Sequence, residues 1–151
     1  MSTISIRMAS DSDLTNLAKL FDAYRQFYNQ PADIERARDF IGERLMRNDS
    51  WLLVAQSHDE LLGFCQMYPS FSSTTTSRIA ILNDLFVAQN TRSKGIGKLL
   101  MRAAEDLAKN LGLSAMELAT AIDNQTAQAL YEQLDWQRDK NFYYYSKSIH
   151  K

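Results

Sequence analysis

Residues 79–112 place a buried strand, a glycine turn and an amphipathic helix directly one after another. The stretch IAILNDLFVA (79–88) is apolar on both faces, which is typical of a central strand. The stretch KLLMRAAEDLAKNLG (98–112) repeats apolar residues at helical spacing, and RSKGIG (92–97) joins the two. A central strand that leads into a covering helix predicts a layered structure of sheet and helices.

The rest of the chain predicts further strands and helices around this unit. The other strands are expected at residues 4–9, 51–56, 61–68, 114–120 and 141–149. The helices are expected after Ser10 or Asp11, after a cap at Asp33, over 96–111, and from Asp123 or Asn124. The second and third strands form a hairpin, and residues 70–77 form a polar loop. The order β-α-α-β-β-β-α-β-α-β predicts an α+β fold rather than a doubly wound one.

Apolar periodicity also predicts the buried side of each helix. In the first two helices the predicted positions are Leu14, Leu17, Ala18, Phe21 and Tyr28, then Ile34, Ala37, Ile41 and Leu45. In the last two helices they are Ile96, Leu99, Leu100, Ala103, Leu107 and Leu111, then Ala127, Leu130, Tyr131 and Leu134. No linker or internal repeat divides the sequence, so we predict one domain over residues 1–151.

Composition narrows the class of protein and its surroundings. The formal net charge of −1 over 151 residues predicts no bulk attraction to nucleic acid or to an anionic membrane. The single cysteine, Cys65, lies in the apolar stretch LLGFCQMY, which predicts a buried, unreactive thiol. The N-terminus lacks the pattern of a signal peptide, and no apolar run is long enough to span a bilayer. We therefore expect a cytoplasmic protein.

The glycine turn has the composition of an anion site. A helix N-terminus presents unpaired N–H groups and a partial positive charge, and glycine lets a phosphate approach the backbone. Arg92, Lys94 and Lys98 add formal charge around Gly95 and Gly97. The alternative is a plain strand-to-helix turn that requires a positive φ. The sequence has no P-loop motif, and Leu100 replaces the third glycine of a dinucleotide-binding motif.

Two motifs together resemble the Gcn5-related N-acetyltransferase (GNAT) superfamily. Arg92, Gly95 and Gly97 match the fixed positions of its R/Q-x-x-G-x-G/A turn, which binds the pyrophosphate of acetyl-CoA. The helix motif N-x-x-A-x-x-L-Y-x-x-x-G-F is matched at its first four fixed positions, Asn124, Ala127, Leu130 and Tyr131. The resemblance implies a mixed, mostly antiparallel sheet flanked by helices. Within the superfamily, the segments YRQFYNQPAD and LNDLFV resemble a bacterial subgroup related to yeast histone and polyamine acetyltransferases.

The chain departs from the superfamily pattern at two places. Gln89 stands where many members have proline, which should change the stiffness of the loop more than its chemistry. Asp135 and Trp136 replace the usual Gly-Phe after the second motif. Because aspartate tolerates the left-handed conformation better than most residues, we expect that turn to survive. Trp136 keeps an aromatic side chain at the phenylalanine position.

The resemblance implies direct acetyl transfer from acetyl-CoA to a primary amine. Tyr131 matches the tyrosine that protonates the leaving thiolate, although its position also fits an ordinary core residue. Asn124 could cap a helix, contact the cofactor, or do both. The implied cofactor-binding residues are Leu85, Phe86, Val87, Arg92, Ser93, Lys94, Gly95, Ile96, Gly97, Lys98, Asn124, Ala127 and Tyr131.

The general base is less well defined by the resemblance. Many polyamine-type relatives have a glutamate where this chain has Asn83, which cannot take a proton but could order a water. Asp84 is a carboxylate, and strand alternation points it to the opposite face. A polar pair in so apolar a strand suggests either a catalytic role for one of the two residues or a β-bulge.

The acceptor amine is left open among polyamines, amino-acid-like molecules and lysine side chains. Tyr24, Tyr28, Tyr143 and Asp84 are candidate substrate-binding residues, and Asp22, Asp33 and Glu35 could add acidity to an aromatic pocket. Simple packing of these tyrosines is the alternative. We expect no metal, and the aromatic C-terminal strand could form the edge of a homodimer. An acyl-CoA-binding sensor or subunit without catalytic activity is the alternative function.

Overall fold

The computed structural model describes residues 3–92 and 94–150, so Ser93 of the glycine turn lies outside the described residues. Two compact units are present, one ending at Ala119 and the other beginning at Thr120. The strands of the first unit are β1 (Ser5–Met8), β2 (Trp51–Ser57), β3 (Glu60–Ser72), β4 (Ser77–Val87) and β5 (Ala115–Glu117). Its helices are α1 (Leu14–Phe27), α2 (Ile34–Arg47) and α3 (Ile96–Asn110). The second unit contains α4 (Gln125–Gln133).

The described strands form one sheet in the order β1-β2-β3-β4-β5. The first four pair antiparallel in sequence, and β5 pairs parallel to β4 after the α3 crossover. This arrangement confirms the predicted α+β fold with a mixed, mostly antiparallel sheet. The polar loop predicted at 70–77 is wrong, because β3 and β4 extend into it and leave a tight turn at residues 73–76.

The helices of the first unit cover both faces of this sheet. The cluster that α1 and α2 form with one face includes Leu17, Phe21, Ile41, Val54 and Phe64. The neighbouring Gly63 points the other way, since successive strand residues alternate between faces. A Cβ built on Gly63 would lie 3.3 Å from Leu100 Cδ1, so α3 packs on that second face.

Most buried positions of α3 lie one residue later in the sequence than the predicted positions. Its buried residues are Ile96, Leu100, Met101, Ala104 and Ala108. Leu99, predicted to be buried, is 41% exposed, and Ala103, Leu107 and Leu111 are only half-buried. Helical periodicity defines an apolar stripe but not which edge of the stripe meets the sheet. The same limit applies to Tyr28 and Ile34, which are exposed at helix ends.

The predicted C-terminal strand at 141–149 is wrong, because residues 137–150 have no regular secondary structure. The strand predicted at 114–120 is reduced to Ala115–Glu117. Tyrosine-rich sequences favour strands only where they find a partner to pair and pack with. A strand-like sequence pattern therefore shows only a tendency, and a strand forms only where the segment pairs with another strand.

Candidate active site

The glycine turn begins α3 and combines a left-handed residue with open space. Gly95 is the N-cap of α3 at φ 76°, and a Cβ built on it meets nothing within 4 Å. Its carbonyl accepts the first helical hydrogen bond from the N–H of Leu99 at 3.1 Å. The N–H groups at the start of a helix have no partner within that helix. The turn thus has both the positive φ of a structural glycine and the open approach of an anion site.

Arg92 is exposed, and its guanidinium packs against two aromatic rings. Its guanidinium carbon lies 5.5 Å from the ring centres of both Phe27 and Phe86. Its Nε donates to the Val87 carbonyl at 3.1 Å. These contacts connect the start of the glycine turn to α1 and to the end of β4.

A cleft of about 1220 Å³ opens beside these residues in the first unit. It is lined by α1, by the turn between β2 and β3, and by the segment after β4. Phe27, Phe86, Arg92 and Lys94 are among its lining residues. The segment that leads into the glycine turn therefore borders open space on the α1 side.

The polar pair in β4 lies at a β-bulge. Gln66 of β3 pairs with Asp84, and the next residue, Met67, pairs with Leu82, so Asn83 is the extra residue. Asn83 is exposed, whereas Asp84 is only 5% exposed. The predicted bulge is confirmed. The prediction that the two side chains point to opposite faces is wrong, because the extra residue interrupts strand alternation and Asn83 Nδ2 lies 3.0 Å from Asp84 Oδ1.

Asp84 is the centre of a hydrogen-bond network that connects α1, β4, β3 and the residue before β2. Its Oδ1 accepts from the Tyr24 hydroxyl at 2.8 Å and from Asn83 Nδ2 at 3.0 Å. Its Oδ2 accepts from Gln66 Nε2 at 3.0 Å, and Gln66 Oε1 accepts from the Ser50 hydroxyl at 2.9 Å. Sequence reasoning missed Gln66 and Ser50. A glutamine inside the apolar run LLGFCQMY was the signal that could have revealed Gln66.

The charge of Asp84 extends to titratable neighbours on β3. Burial, reinforced by this carboxylate, raises the pKa of the Tyr68 phenol to about 12. The same two causes raise the pKa of the Cys65 thiol well above its usual range. Cys65 is fully buried, which confirms the predicted burial of this thiol.

Two of the candidate substrate-binding tyrosines lie in contact with each other. The rings of Tyr24 and Tyr28 lie 5.1 Å apart, and Tyr24 also contacts Phe64 and Phe86 edge to face. The suggestion that Asp22 adds acidity to this pocket is wrong. Asp22 is buried, pairs with Arg25 at 2.7 Å, and accepts from the Asp33 backbone N–H at 3.1 Å. It stabilises the connection between α1 and α2.

The second unit preserves the local features expected of the second motif. Asn124 caps α4 by accepting from the Ala127 N–H at 3.2 Å. Asp135 adopts φ 68°, which confirms that this turn keeps its left-handed residue. The rings of Tyr131 and Trp136 lie 6.3 Å apart, and Tyr131 is half-buried. Tyr143 is 91% exposed in the segment without regular structure.

Comparison with known proteins identifies the family of this fold. The sequence profile described as the acetyltransferase (GNAT) family matches residues 17–136, which include both motifs. The chain belongs to the GNAT family. An uncharacterized N-acetyltransferase of Bacillus subtilis, YhfO, is 41% identical over 146 residues, covering 97% of this chain and 98% of that protein. This GNAT chain is therefore an acyltransferase, as predicted.

Solved structures support the same assignment. The crystal structure of a probable acetyltransferase superposes with a TM-score of 0.92 at 37% identity, covering 97% of this chain and 99% of that one. An aminoglycoside N-acetyltransferase in complex with CoA, AAC(6')-Iy, superposes with a TM-score of 0.81, covering 97% of this chain and 96% of that one. At 19% identity, the second comparison supports the GNAT fold alone.

Residues 3–92 and 94–150 lack two kinds of feature. No helix there is long and apolar enough to cross a membrane. No group of three or more His, Cys, Asp or Glu side chains could hold a metal ion. The absence of a metal therefore stays a prediction.

Proposed function

We propose that this GNAT enzyme transfers the acetyl group of acetyl-CoA directly to a primary amine. The acceptor is a small cationic molecule, polyamine-like or amino-acid-like, or a lysine side chain. The observation that carries this proposal is Gly95, a left-handed N-cap with open space at the start of α3. In a family that uses acetyl-CoA, such a turn fits the pyrophosphate.

The cofactor is assigned to the turn and to the end of β4. The backbone N–H groups of the segment from Ser93 to Lys98, including Ile96 and Gly97, receive the pyrophosphate, and Lys94 and Lys98 add charge. Backbone groups of Leu85, Phe86 and Val87 bind the pantetheine arm and polarise the thioester carbonyl. Asn124, Ala127 and Tyr131 are proposed as further cofactor-binding residues. Arg92 acts through its contacts with Phe27 and Phe86, which hold the turn in place.

The chemistry requires a neutral amine, a polarised carbonyl and a protonated leaving group. A lysine-like amine has a pKa of about 10, so it must lose a proton before it attacks. A backbone N–H stabilises the oxyanion, and the Tyr131 hydroxyl protonates the thiolate. Asn83, exposed at the bulge, orders a water near the reacting amine.

The acceptor amine is assigned to the side of the sheet that α1 covers. Tyr24 and Tyr28 offer aromatic rings, and the buried carboxylate of Asp84 accepts from the Tyr24 hydroxyl, a combination that suits a cation. Tyr143 is proposed as a further contact. A cytoplasmic location and a homodimer are further proposals, and sedimentation tests the second.

Thiol release from acetyl-CoA tests the function directly. The panel is spermidine, lysine, short diamines, an aminoglycoside and a histone-tail peptide, with calorimetry measuring acetyl-CoA binding beside it. We expect turnover with one class of amine. Acetyl-CoA binding without turnover on any amine would contradict the enzyme and favour an acyl-CoA-binding sensor. Preference for ATP or NAD over acetyl-CoA would contradict the cofactor.

A further inference from the structure

The carboxylate of Asp84 is buried, and no positive group among the described residues forms an ion pair with it. It is 5% exposed, and it accepts hydrogen bonds from the neutral donors of Tyr24, Asn83 and Gln66. The ion pairs formed by the described arginines involve other acids: Asp13, Asp22, Glu43 and Asp49. Buried charges in proteins are usually paired, because removal from water is costly. Within the described residues, the Asp84 site holds a negative charge that a cationic ligand would balance.

Tyr24 connects this buried charge to the exposed side of the bulge. Its hydroxyl lies 2.8 Å from Asp84 Oδ1 and 3.5 Å from the carbonyl oxygen of Asn83. Tyr24 is half-buried and Asn83 is exposed, whereas Asp84 is enclosed. An amine at the bulge can therefore reach Asp84 through the Tyr24 hydroxyl.

We propose that Tyr24 and Asp84 together form the base of this enzyme, in place of a strand glutamate. This inference rests on the proposed function. The acceptor ammonium gives one proton to the Tyr24 oxygen while the Tyr24 proton passes to Asp84 Oδ1. The freed lone pair then attacks the thioester carbon. As the C–S bond breaks, the general acid protonates the thiolate and recovers a proton from the amide nitrogen, and Asp84 later releases its proton to water.

Gln66 and Ser50 are positioning residues for this pair. Gln66 is fully buried, and its amide is held at both ends, by Ser50 at Oε1 and by Asp84 at Nε2. Rotation of the amide would break both hydrogen bonds. The bond to Oδ2 therefore fixes the carboxylate so that Oδ1 faces Tyr24.

The titratable neighbours of Asp84 on β3 do not change charge near neutral pH, so they do not add to the pH dependence of kcat/KM. Cys65 and Tyr68 on β3 feel the charge of Asp84, and Tyr68 also feels Arg44 and Asp49. The pKa of Cys65 and of Tyr68 is raised, so both stay protonated from neutral to mildly alkaline pH. On the α1 side, the Tyr24 hydroxyl donates to Asp84, and the ring of Tyr28 lies 5.1 Å from the ring of Tyr24.

The test is the pH profile of kcat/KM for Tyr24→Phe and Asp84→Asn, measured with the best amine of the panel. Near neutral pH we expect each variant to lose about 100-fold or more, the usual range for general base catalysis. The loss should shrink as the pH approaches the pKa of the free amine, because a neutral amine needs no base. Acetyl-CoA affinity should stay the same. Tyr68→Phe makes the same chemical change on β3 and should keep the wild-type profile.

Ser50→Ala tests positioning separately. It should lower kcat/KM near neutral pH by a smaller factor than Asp84→Asn does. Ser50→Thr, which keeps the hydroxyl, should have the kcat/KM of the wild type. A folded Tyr24→Phe enzyme with wild-type kcat/KM and profile would overturn the relay while the acetyltransferase function stands. A wild-type protein that binds acetyl-CoA but acetylates no amine would overturn both.

Discussion

At the scale of single residues, burial decides which reactive side chains are available. Cys65 is the only cysteine in the sequence and is fully buried. Burial first, and then the charge of Asp84, raise its pKa, and a thiol must ionise to react as a nucleophile. Its position on β3 therefore makes it inert in the folded protein.

We predict that Cys65 in the native protein reacts with a disulfide reagent at pH 8 more than about 100-fold more slowly than free glutathione. In denaturant, one thiol per chain should react at once. The measurement also checks the thiol-release assay, which then reports only CoA. Rapid stoichiometric labelling of the native protein would contradict the burial of Cys65.

A second residue-scale feature is the ion pair that joins β1 to the start of α1. Arg7 donates to both carboxylate oxygens of Asp13 at 2.8 Å. The hydrogen bond from Arg7 is the largest cause that lowers the pKa of Asp13 below its ordinary value. Because Arg7 is partly exposed, solvent screening limits the contribution to less than about 1 kcal/mol.

The sign of this pKa shift predicts acid sensitivity. The pair stabilises the fold fully above about pH 4, the ordinary carboxyl value, and its contribution is lost as the pH falls through the lowered pKa. Urea unfolding from pH 7 to pH 3 should show that Asp13→Asn is less stable than wild type at neutral pH and that the difference shrinks in acid. Asp11→Asn, an exposed acid in the same turn, is the control. A difference that stays constant with pH would contradict the ion pair.

At the scale of elements, α3 has a left-handed glycine at each end. Gly95 precedes the helix at φ 76° and Gly112 follows it at φ 72°, and a Cβ at either position meets nothing within 4 Å. Substitution should cost about 1–2 kcal/mol at either end. Only the N-terminal end has the N–H groups that bind an anion. The two glycines therefore form a matched pair for a test of the cofactor site.

We predict that Gly95→Asp weakens acetyl-CoA binding at least about tenfold, because it adds a side chain and a negative charge at the phosphate position. Gly112→Asp should lose similar stability and bind acetyl-CoA as wild type does. Calorimetric titration measures the affinities, and thermal unfolding measures the stability. Equal affinities for the two variants would show that the Gly95 turn is purely structural.

At the scale of the whole molecule, the prediction of one domain over residues 1–151 has a simple thermodynamic consequence. A single domain unfolds in one cooperative transition. Acetyl-CoA at 100 times its Kd should stabilise such a domain by about 2.7 kcal/mol. The contacts nonetheless group the residues into two compact units, so the prediction needs a direct measurement.

We therefore predict a single calorimetric transition that acetyl-CoA shifts upward as a whole. Fluorescence of Trp51 in β2 and of Trp136 after α4 provides one probe in each unit, with Trp51→Phe and Trp136→Phe separating the two signals. The two midpoints should coincide. Midpoints that differ, or a second calorimetric peak, would contradict a single cooperative domain.

The sequence by itself determined the features that depend on a few neighbouring residues. The Asp33 and Asn124 caps, the left-handed Asp135 and the start of α3 after Gly95 all follow from local backbone and side-chain chemistry. The family followed because its two motifs are also local. Short-range geometry is encoded where it occurs, so it can be predicted before the fold is known.

Only the tertiary structure decided the features that depend on partners distant in the chain. The bond between Asp84 and Tyr24 joins residues 60 positions apart, and the bond between Gln66 and Ser50 joins residues 16 apart. The same dependence explains the shifted face of α3, the packing of Arg92 and the missing strand at 141–149. A sequence pattern records what each segment tends to form, whereas pairing and packing select among those tendencies.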